Sequence, residues 1–267
     1  MKPRKSFAQH WLRNQQALDN IVAAAALQPG DCLLEIGSGT GNLTRRLLPL
    51  VKAVVGVEID RDLCKKLVQF FRSKDNFLLL QGDILNLDLD ALLSPFPNFQ
   101  NPRKVVANIP YNITGPILEQ LLGTIAKPAA TNYDLIVLLV QKEVADRLTA
   151  QPGTKAFGAL SLRVGYLAEC ELICSVPAQA FYPPPKVDSA VVRLRPRPIP
   201  NPAKNPLLLE RIIKLGFTSK RKMLRNNLKS LIDPIMLTEL MKKLAINPQG
   251  RGEDLSLHDW IALSNLL

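Results

Sequence analysis

Four consecutive residues near the middle of the chain, Asn108-Ile109-Pro110-Tyr111, have the chemistry to hold an aromatic amine. An amine such as adenine N6 is a weak nucleophile because its lone pair is delocalised into the ring. The Asn108 side-chain oxygen and the Ile109 carbonyl oxygen are two acceptors that could hold its N–H groups and reorient that lone pair. Pro110 stiffens the turn, and Tyr111 offers a ring face on which a base can stack. The alternative is a proline-terminated strand with a core tyrosine.

A glycine-rich turn, Glu35-Ile36-Gly37-Ser38-Gly39-Thr40-Gly41, follows an apolar strand pattern and precedes a helical pattern. Gly37 and Gly39 allow unusual backbone angles and let a ligand approach the main chain closely. A dinucleotide fingerprint would need its third glycine where Asn42 stands, and no Gly-Lys-[Ser/Thr] of a Walker loop follows. The pattern predicts a nucleotide-type site, and a turn without a ligand is the alternative.

Two acids end the next two predicted strands, Glu58 in Val-Glu-Ile-Asp and Asp83 in Gly-Asp-Ile. In an open α/β sheet these strand ends line the crevice in which ligands bind. Glu58 could accept both hydroxyls of a ribose, and Asp83 could accept from an adenine amine while Ile84 flanks the ring. Taken singly, each acid is more often a solvated surface carboxylate or a helix N-cap than a ligand contact. Their position after the glycine-rich turn favours a nucleotide site.

An α/β fold would position these residues. Apolar runs alternate with helical periods over the first two thirds of the chain, which predicts such a fold. The pattern is typical of a doubly wound, mostly parallel sheet, preceded by a helix at 18–27. Further helical periods lie at 43–51, 63–71 and 117–122. The predicted strands are Cys32–Ile36, Ala53–Glu58, Phe77–Leu80, Lys104–Ala107, Leu135–Gln141, Leu172–Val176 and Val187–Leu194.

Prolines between residues 196 and 206 predict a semi-rigid linker. Beyond it, Asn205 and Asp233 each precede a proline, and Ser256 is followed three positions later by Asp259, all patterns typical of helix N-termini. We therefore predict two domains, 1–195 and 204–267, the second small and all-α.

A basic stretch runs from Arg211 to Ile232 without any acid. Together with its apolar residues, this stretch predicts one amphipathic helix with a cationic side that binds phosphate groups. An anionic membrane is the competing partner, but a basic helix whose apolar side packs in the core of its own domain would bind lipid poorly, so we expect no membrane partner. Lys2, Arg4, Lys5 and Arg13 add positive charge near the N-terminus. The predicted RNA-binding residues are Lys220, Arg221, Lys222, Arg225 and Lys229.

Composition supports a nucleic-acid partner and excludes several classes of protein. The 267 residues carry 34 Lys+Arg against 23 Asp+Glu, a net charge of +11, and 47% are hydrophobic, which argues against disorder of the whole chain. Four cysteines without a Cys-x-x-Cys pair and two histidines argue against a metal site. The apolar run Leu135–Val140 is too short to cross a membrane, and no secretory signal is evident. We expect a cytoplasmic monomer.

Taken together, these motifs resemble an S-adenosylmethionine-dependent adenine-N6 methyltransferase. Three further features narrow the resemblance to the 16S ribosomal RNA adenine dimethyltransferase family: Phe7-Ala8-Gln9-His10-Trp11-Leu12, the stretch Phe181-Tyr182-Pro183-Pro184-Pro185-Lys186-Val187-Asp188-Ser189-Ala190, and the basic C-terminal region. The resemblance implies a seven-stranded Rossmann-like methyltransferase sheet with a small helical domain. It also implies dimethylation of two adjacent adenosines near the 3′ end of small-subunit rRNA, during assembly of the 30S subunit.

Carried over by this resemblance, the cofactor contacts fall on His10, Leu12, Gly37, Gly39, Glu58, Asp83 and Asn108. The family usually has Gln-Asn-Phe-Leu where this chain has Gln9-His10-Trp11-Leu12, so the contact at position 10 is through either the side chain or the backbone. Phe181, expected in a loop, would stack the target adenine against Tyr111; a core phenylalanine is the alternative. Two other functions remain open: a large-subunit rRNA adenine methyltransferase of the macrolide-resistance type, and a non-catalytic rRNA-binding assembly factor.

Overall fold

A computed structural model describes residues 3–4, 7, 9–130 and 133–267 of the chain. Its residues form two compact units: the first is Met1–Leu121, Thr131–Ala145 and Glu171–Pro196, and the second is Leu122–Ala130, Asp146–Cys170 and Arg197–Leu267. Segments 122–130 and 146–170 thus group with the second unit, whereas the sequence prediction placed them in the first domain. That the two parts are independent domains stays a prediction.

The first unit is built on a seven-stranded sheet, as predicted. Its strand order is β4-β3-β2-β5-β6-β9-β7, and a separate two-stranded sheet pairs β1 with β8. The strands are β1 Trp11–Leu12, β2 Cys32–Ile36, β3 Ala53–Glu58, β4 Phe77–Gln81, β5 Lys104–Asn108, β6 Leu135–Gln141, β7 Ala168–Val176, β8 Phe181–Tyr182 and β9 Ser189–Pro196.

Parallel pairing aligns the ends of the strands that carry the predicted site. β2 is parallel to both β3 and β5, with Ile36 opposite Val57 and Ala107 opposite Ile36. β3 is parallel to β4, with Glu58 opposite Gln81. Because the register brings these carboxyl ends level, the loops after them meet at one edge of the sheet.

The helices differ from the sequence prediction mainly at their ends. The first helix spans Gln15–Ala24 rather than 18–27, because the Asn14 side chain caps it by accepting from the Ala17 N–H at 2.9 Å, and Ala26 has a positive φ of 45°. The helices are α1 Gln15–Ala24, α2 Thr44–Leu47, α3 Arg61–Phe71, α4 Leu89–Leu93, α5 Thr114–Leu122, α6 Lys142–Leu148, α7 Ala159–Leu167, α8 Pro206–Gly216, α9 Leu224–Asn227, α10 Pro234–Lys243 and α11 Leu257–Leu266.

The second unit is helical around the fully buried Trp260, and its three predicted N-caps are confirmed. The Asn205 side chain accepts from Leu208 N–H at 3.1 Å, and Asp233 accepts from Ile235 N–H at 2.9 Å. Ser256 and Asp259 form the reciprocal capping box, with Asp259 N–H donating to the Ser256 hydroxyl at 3.2 Å.

The predicted single basic helix over 211–232 is wrong, because α8 ends at Gly216 and α9 begins at Leu224. A Cβ on Gly216 would lie 2.3 Å from the Trp260 ring, so the chain here packs directly on that ring. The Asn227 amide then donates to the carbonyl oxygens of Gly216 at 2.6 Å and Ser219 at 3.0 Å. These side-chain bonds replace the main-chain bonds of a continuing helix. Lys220, Arg221 and Lys222 therefore lie in a connection.

Candidate active site

A cavity opens at the carboxyl ends of β2 to β5 in the first unit, with about 1050 Å³ of space including its open mouth. Its walls come from the segment before α1, the glycine-rich turn, the β3 and β4 ends, and the turn after β5. Every predicted catalytic and cofactor-binding residue except Phe181 lines it: His10, Leu12, Gly37, Gly39, Glu58, Asp83, Asn108, Ile109, Pro110 and Tyr111.

The glycine-rich turn closes tightly against its neighbouring strands. Gly37 has φ +77°, and a Cβ there would lie 3.3 Å from the Asn108 carbonyl oxygen. The Gly37 N–H donates to the Val57 carbonyl at 2.8 Å. Gly39 has φ +57°, a second position that L side chains rarely adopt. At these two positions the turn therefore presents main chain, rather than a side chain, to the cavity.

Glu58 is almost fully buried at the end of β3 and is held by main-chain donors. One carboxylate oxygen accepts from Gly39 N–H at 2.8 Å and the other from Asp60 N–H at 2.9 Å. Burial raises the pKa of Glu58, and these hydrogen bonds oppose the rise. Each oxygen still has a lone pair for a ligand hydroxyl.

Asp83 is both an N-cap and a residue of the cavity wall, the two positions that the sequence suggested for it. It caps the 3₁₀ turn Ile84–Asn86, accepting from Leu85 N–H at 3.1 Å and from the Asn86 amide at 3.3 Å. It also lines the cavity beside Ile84. A capping role therefore accompanies, rather than replaces, a place in the site.

A carbonyl from the start of the chain orients the Asn108 side chain. The Asn108 amide nitrogen donates to the His10 carbonyl oxygen at 3.3 Å. This assignment of the amide leaves the Asn108 side-chain oxygen as an acceptor for a ligand. The next residue, Ile109, is fixed because it is buried and its N–H donates to Leu139 O at 3.3 Å.

Tyr111 is held at both its hydroxyl and its ring. Its hydroxyl is 2.7 Å from the Ser189 hydroxyl, and burial raises its pKa. The His10 ring lies nearly parallel to it, with centroids 5.7 Å apart and an interplanar angle of 17°. His10 Nδ1 lies 2.7 Å from the Pro183 carbonyl oxygen, so that nitrogen carries the proton of the bond. Both the backbone and the side chain of His10 therefore belong to the site.

Phe181 does not line the cavity. It is in β8 rather than in a loop, opposite Leu12 of β1, and only 4% of its surface is exposed within the apolar core. The loop placement is therefore wrong, and the stacking role of Phe181 stays a prediction that this arrangement does not support.

Glu35 is a buried acid whose surroundings sequence reasoning missed. One of its oxygens accepts from the Ser38 hydroxyl at 3.0 Å and from the Thr44 hydroxyl at 2.6 Å, while the other has no hydrogen-bond partner among the described residues. Burial raises the pKa of Glu35 to about 7. The two hydroxyl residues three and nine positions later are the only sequence signal for this cluster.

The model of the ribosomal RNA adenine dimethylase family matches residues 1–267. The chain belongs to this family. The membership confirms the predicted class of enzyme, an S-adenosylmethionine-dependent rRNA adenine dimethyltransferase, together with its cofactor.

Individual relatives are similar to this chain over its whole length. Ribosomal RNA small subunit methyltransferase A of Trichormus variabilis is 64% identical over 100% of this chain and 98% of its own length. The protein of that name from Synechocystis is 57% identical, again over 100% of this chain and over 96% of its own.

Two solved structures confirm the α/β fold and the helical C-terminal part. A Plasmodium falciparum dimethyladenosine transferase has a TM-score of 0.76 and 27% identity, covering 95% of this chain and 96% of its own. The 23S rRNA methyltransferase ErmE has a TM-score of 0.75 and 25% identity, covering 95% and 98%.

The cavity of this dimethylase fits S-adenosylmethionine. Its glycine turn exposes main chain where a side chain would intrude, and the buried Glu58 stands at the strand end where a ribose would lie. Ile59 and Ile84 supply apolar walls near Asp83. Among the described residues no group of three or more His, Cys, Asp or Glu could hold a metal ion, and none of their helices is long and apolar enough to cross a membrane.

Proposed function

We propose that this protein dimethylates the N6 amines of two adjacent adenosines near the 3′ end of small-subunit rRNA, during assembly of the 30S subunit in the cytoplasm. The observation that carries the proposal is the Asn108 amide, held by the His10 carbonyl so that its oxygen is left for a substrate amine, in a cavity that fits S-adenosylmethionine. We further propose that the protein acts as a monomer and without a metal ion.

The strand-end residues hold the cofactor. The Gly37 and Gly39 turn would lie against it, Glu58 would accept from its ribose hydroxyls, and Asp83 would accept from its adenine amine. Leu12 and the His10 backbone complete the wall on the other side. Bound in this way, S-adenosylmethionine supplies a methyl group on a cationic sulfur.

The turn after β5 prepares the substrate amine. The Asn108 side-chain oxygen and the Ile109 carbonyl oxygen accept the N6 hydrogens, which turns the lone pair away from the ring and towards the methyl donor. Positioning by a rigid, buried frame does most of the work, and Ile109 is 1% exposed. In each transfer an N–CH3 bond would form as the S–CH3 bond breaks, and the amine would lose one proton. The second transfer acts on the N6-methyl amine, whose single remaining N–H can bind only one of the two acceptors.

Tyr111 provides the stacking face for the base. Because the His10 ring covers one face at a centroid distance of 5.7 Å, the base takes the other face or displaces His10. Phe181 joins the stack only if it leaves the core in which it lies.

The second unit binds flanking rRNA. Four of the five predicted RNA-binding residues are exposed, Lys220, Arg221, Lys222 and Lys229, and Arg225 is half-buried. The Lys220 ammonium also lies 3.3 Å from the Lys155 carbonyl oxygen and 3.4 Å from the Phe157 carbonyl oxygen. The exposed cations are free to meet phosphate groups. Lys2 and Lys5, which add to the basic N-terminal segment, lie outside the described residues.

Relatives favour the small subunit over the large one as substrate. Proteins named for the small subunit are 57–64% identical to this chain over its full length, whereas the 23S enzyme ErmE is 25% identical. The structural likeness to ErmE is consistent with a shared reaction rather than a shared substrate.

The test is to incubate the purified protein with labelled S-adenosylmethionine and under-methylated small ribosomal subunits, with large subunits and duplex DNA as controls, and to map modified nucleosides by mass spectrometry. We expect N6,N6-dimethyladenosine in small-subunit rRNA alone. Label in large-subunit rRNA would favour the resistance-type function. Binding of cofactor and RNA without any transfer would identify an assembly factor instead.

A further inference from the structure

A second groove lies beside the cofactor cavity in the first unit, with about 780 Å³ of space including its open mouth. It runs along the outer side of α3 and is not used by any step proposed above. The two recesses share one wall, formed by Trp11, Gly39, Thr40, Asn42 and Leu63. A ligand in this groove would lie next to the glycine-rich turn.

The groove is positively charged. Arg13 and Lys66 line it, both are exposed, and the described residues of its lining include no Asp or Glu. Two cations without an acid favour an anionic ligand.

The groove also offers one exposed aromatic ring, and a second lies beside it. Phe70 is 59% exposed at the end of α3, although its neighbours Leu67 and Phe71 are buried in the core. Next to the groove the Arg13 guanidinium lies 4.1 Å from the centroid of Tyr182, which is 45% exposed. Phe70 leaves more than half of its surface open to solvent, and an exposed ring beside cations suits stacking by an unpaired base.

We propose that this groove binds a nucleotide of single-stranded rRNA that flanks the target adenosine, with its base on Phe70 and its phosphate on Arg13 and Lys66. The proposal rests on the proposed function, because only an RNA substrate brings such a nucleotide to this wall. Cations beside an exposed aromatic ring are the chemistry with which proteins hold unpaired nucleotides without reading sequence. A folded protein partner or a lipid surface would not call for both within one narrow recess.

The experiment compares Phe70→Ala and Lys66→Ala with two matched controls. Phe96→Ala removes another exposed phenylalanine of the first unit, 41% exposed and outside the groove, and Lys65→Ala removes the neighbouring exposed lysine of α3. For all four, and the wild type, we would measure binding of a short unpaired RNA oligonucleotide across salt concentrations. Binding of S-adenosylmethionine would be followed by calorimetry.

Phe70→Ala should weaken RNA binding by at least about fivefold, as expected for loss of one base stack. Lys66→Ala should lower the slope of log affinity against log salt by about 0.7, as expected for one lost single-strand phosphate contact. Affinity for S-adenosylmethionine should change less than about twofold, and both controls should match the wild type.

The inference is overturned if the groove variants bind RNA like their controls while the wild type methylates rRNA. It is also overturned if Phe70→Ala and Phe96→Ala weaken binding equally. If instead the wild type binds S-adenosylmethionine but methylates no rRNA, the proposed function has failed. In that case, comparing the groove variants with their controls would still show whether the groove binds the oligonucleotide.

Discussion

Two regions have clear sequence patterns: the carboxyl edge of the first unit's sheet and the basic stretch 211–232 of the second unit. The structure agrees with the prediction at the sheet edge but not in the basic stretch. At the sheet edge, motifs scattered over residues 10–111 converge on one cavity. In the basic stretch, a continuous pattern is interrupted after Gly216. Parallel pairing fixes where strand ends meet, whereas the continuity of a helix depends on what packs against it. We therefore expect substitutions in the two regions to affect different properties of the protein.

The largest effect should come from Asn108→Ala. Loss of the amide oxygen that holds the substrate amine should lower the methyl-transfer rate by about 1,000-fold, comparable to removing a preorganised polar group from an active site. Single-turnover kinetics on small subunits would measure it, with RNA affinity as a parallel readout. Asn98→Ala, at an exposed turn of the same unit, is the control. Full activity of Asn108→Ala would remove this residue from the mechanism.

Phe181→Ala should lower the free energy of unfolding by about 3–4 kcal/mol, because the ring is 4% exposed in the core. Denaturant titration measures this loss. Phe181→Leu distinguishes packing from stacking, since it keeps an apolar side chain but removes the ring. We expect Phe181→Leu to retain most of its activity; a stable Phe181→Leu protein with a strongly reduced rate would restore the predicted stacking role.

Gly216→Ala should destabilise the protein by about 3 kcal/mol, because the added Cβ would lie 2.3 Å from the buried Trp260 ring. Gly165→Ala is the matched control in α7, since its added Cβ would meet only Leu257, at 3.7 Å. We expect Gly165→Ala to be neutral or slightly stabilising in the same denaturant titration. Equal losses of stability in the two variants would contradict the inference that close packing of Gly216 on Trp260 determines where α8 ends.

Glu35 should make stability depend on pH, because its pKa is raised from 4.5 to about 7 in the fold. Between these values the folded state binds more protons than the unfolded state, so the free energy of unfolding falls as pH rises and levels off above about 7. The loss should be roughly 3 kcal/mol, since each pKa unit of that rise corresponds to about 1.4 kcal/mol. Glu35→Gln should flatten the Tm profile between pH 5 and 8, leaving a smaller slope from Glu58; an unchanged slope would show that Glu35 is ionised throughout.

The smallest effect should come from the double variant Arg221→Ala/Lys222→Ala. Loss of two phosphate contacts should lower the salt slope of binding to unpaired RNA by about 0.7 per contact, with stability nearly unchanged. The control is Lys242→Ala/Lys243→Ala on α10, where Lys242 already pairs with Glu239 at 2.9 Å. If both doubles behave alike, the net charge rather than the connection after α8 governs RNA binding.

Sequence predicted most of the sheet edge because its residues sit at ends of periodic strands. Glu58 and Asn108 are the last residues of β3 and β5, where strand pattern and topology together fix their place. Phe181 was placed wrongly since its burial comes from pairing with Leu12, nearly the whole first unit away in sequence. The break after Gly216 was likewise hidden, because it is caused by Trp260 and Asn227 rather than by any local signal.

Each unit contains one of the protein's two tryptophans, in contrasting surroundings. Trp11 stands in the wall between cofactor cavity and groove, and its indole nitrogen has no hydrogen-bond partner among the described residues. Trp260 is fully buried, and its nitrogen donates to Gly252 O at 3.4 Å. Intrinsic fluorescence therefore divides into two local reporters. Emission from Trp11 should change when a ligand binds in the cofactor cavity or the groove, and emission from Trp260 should change when the second unit unfolds.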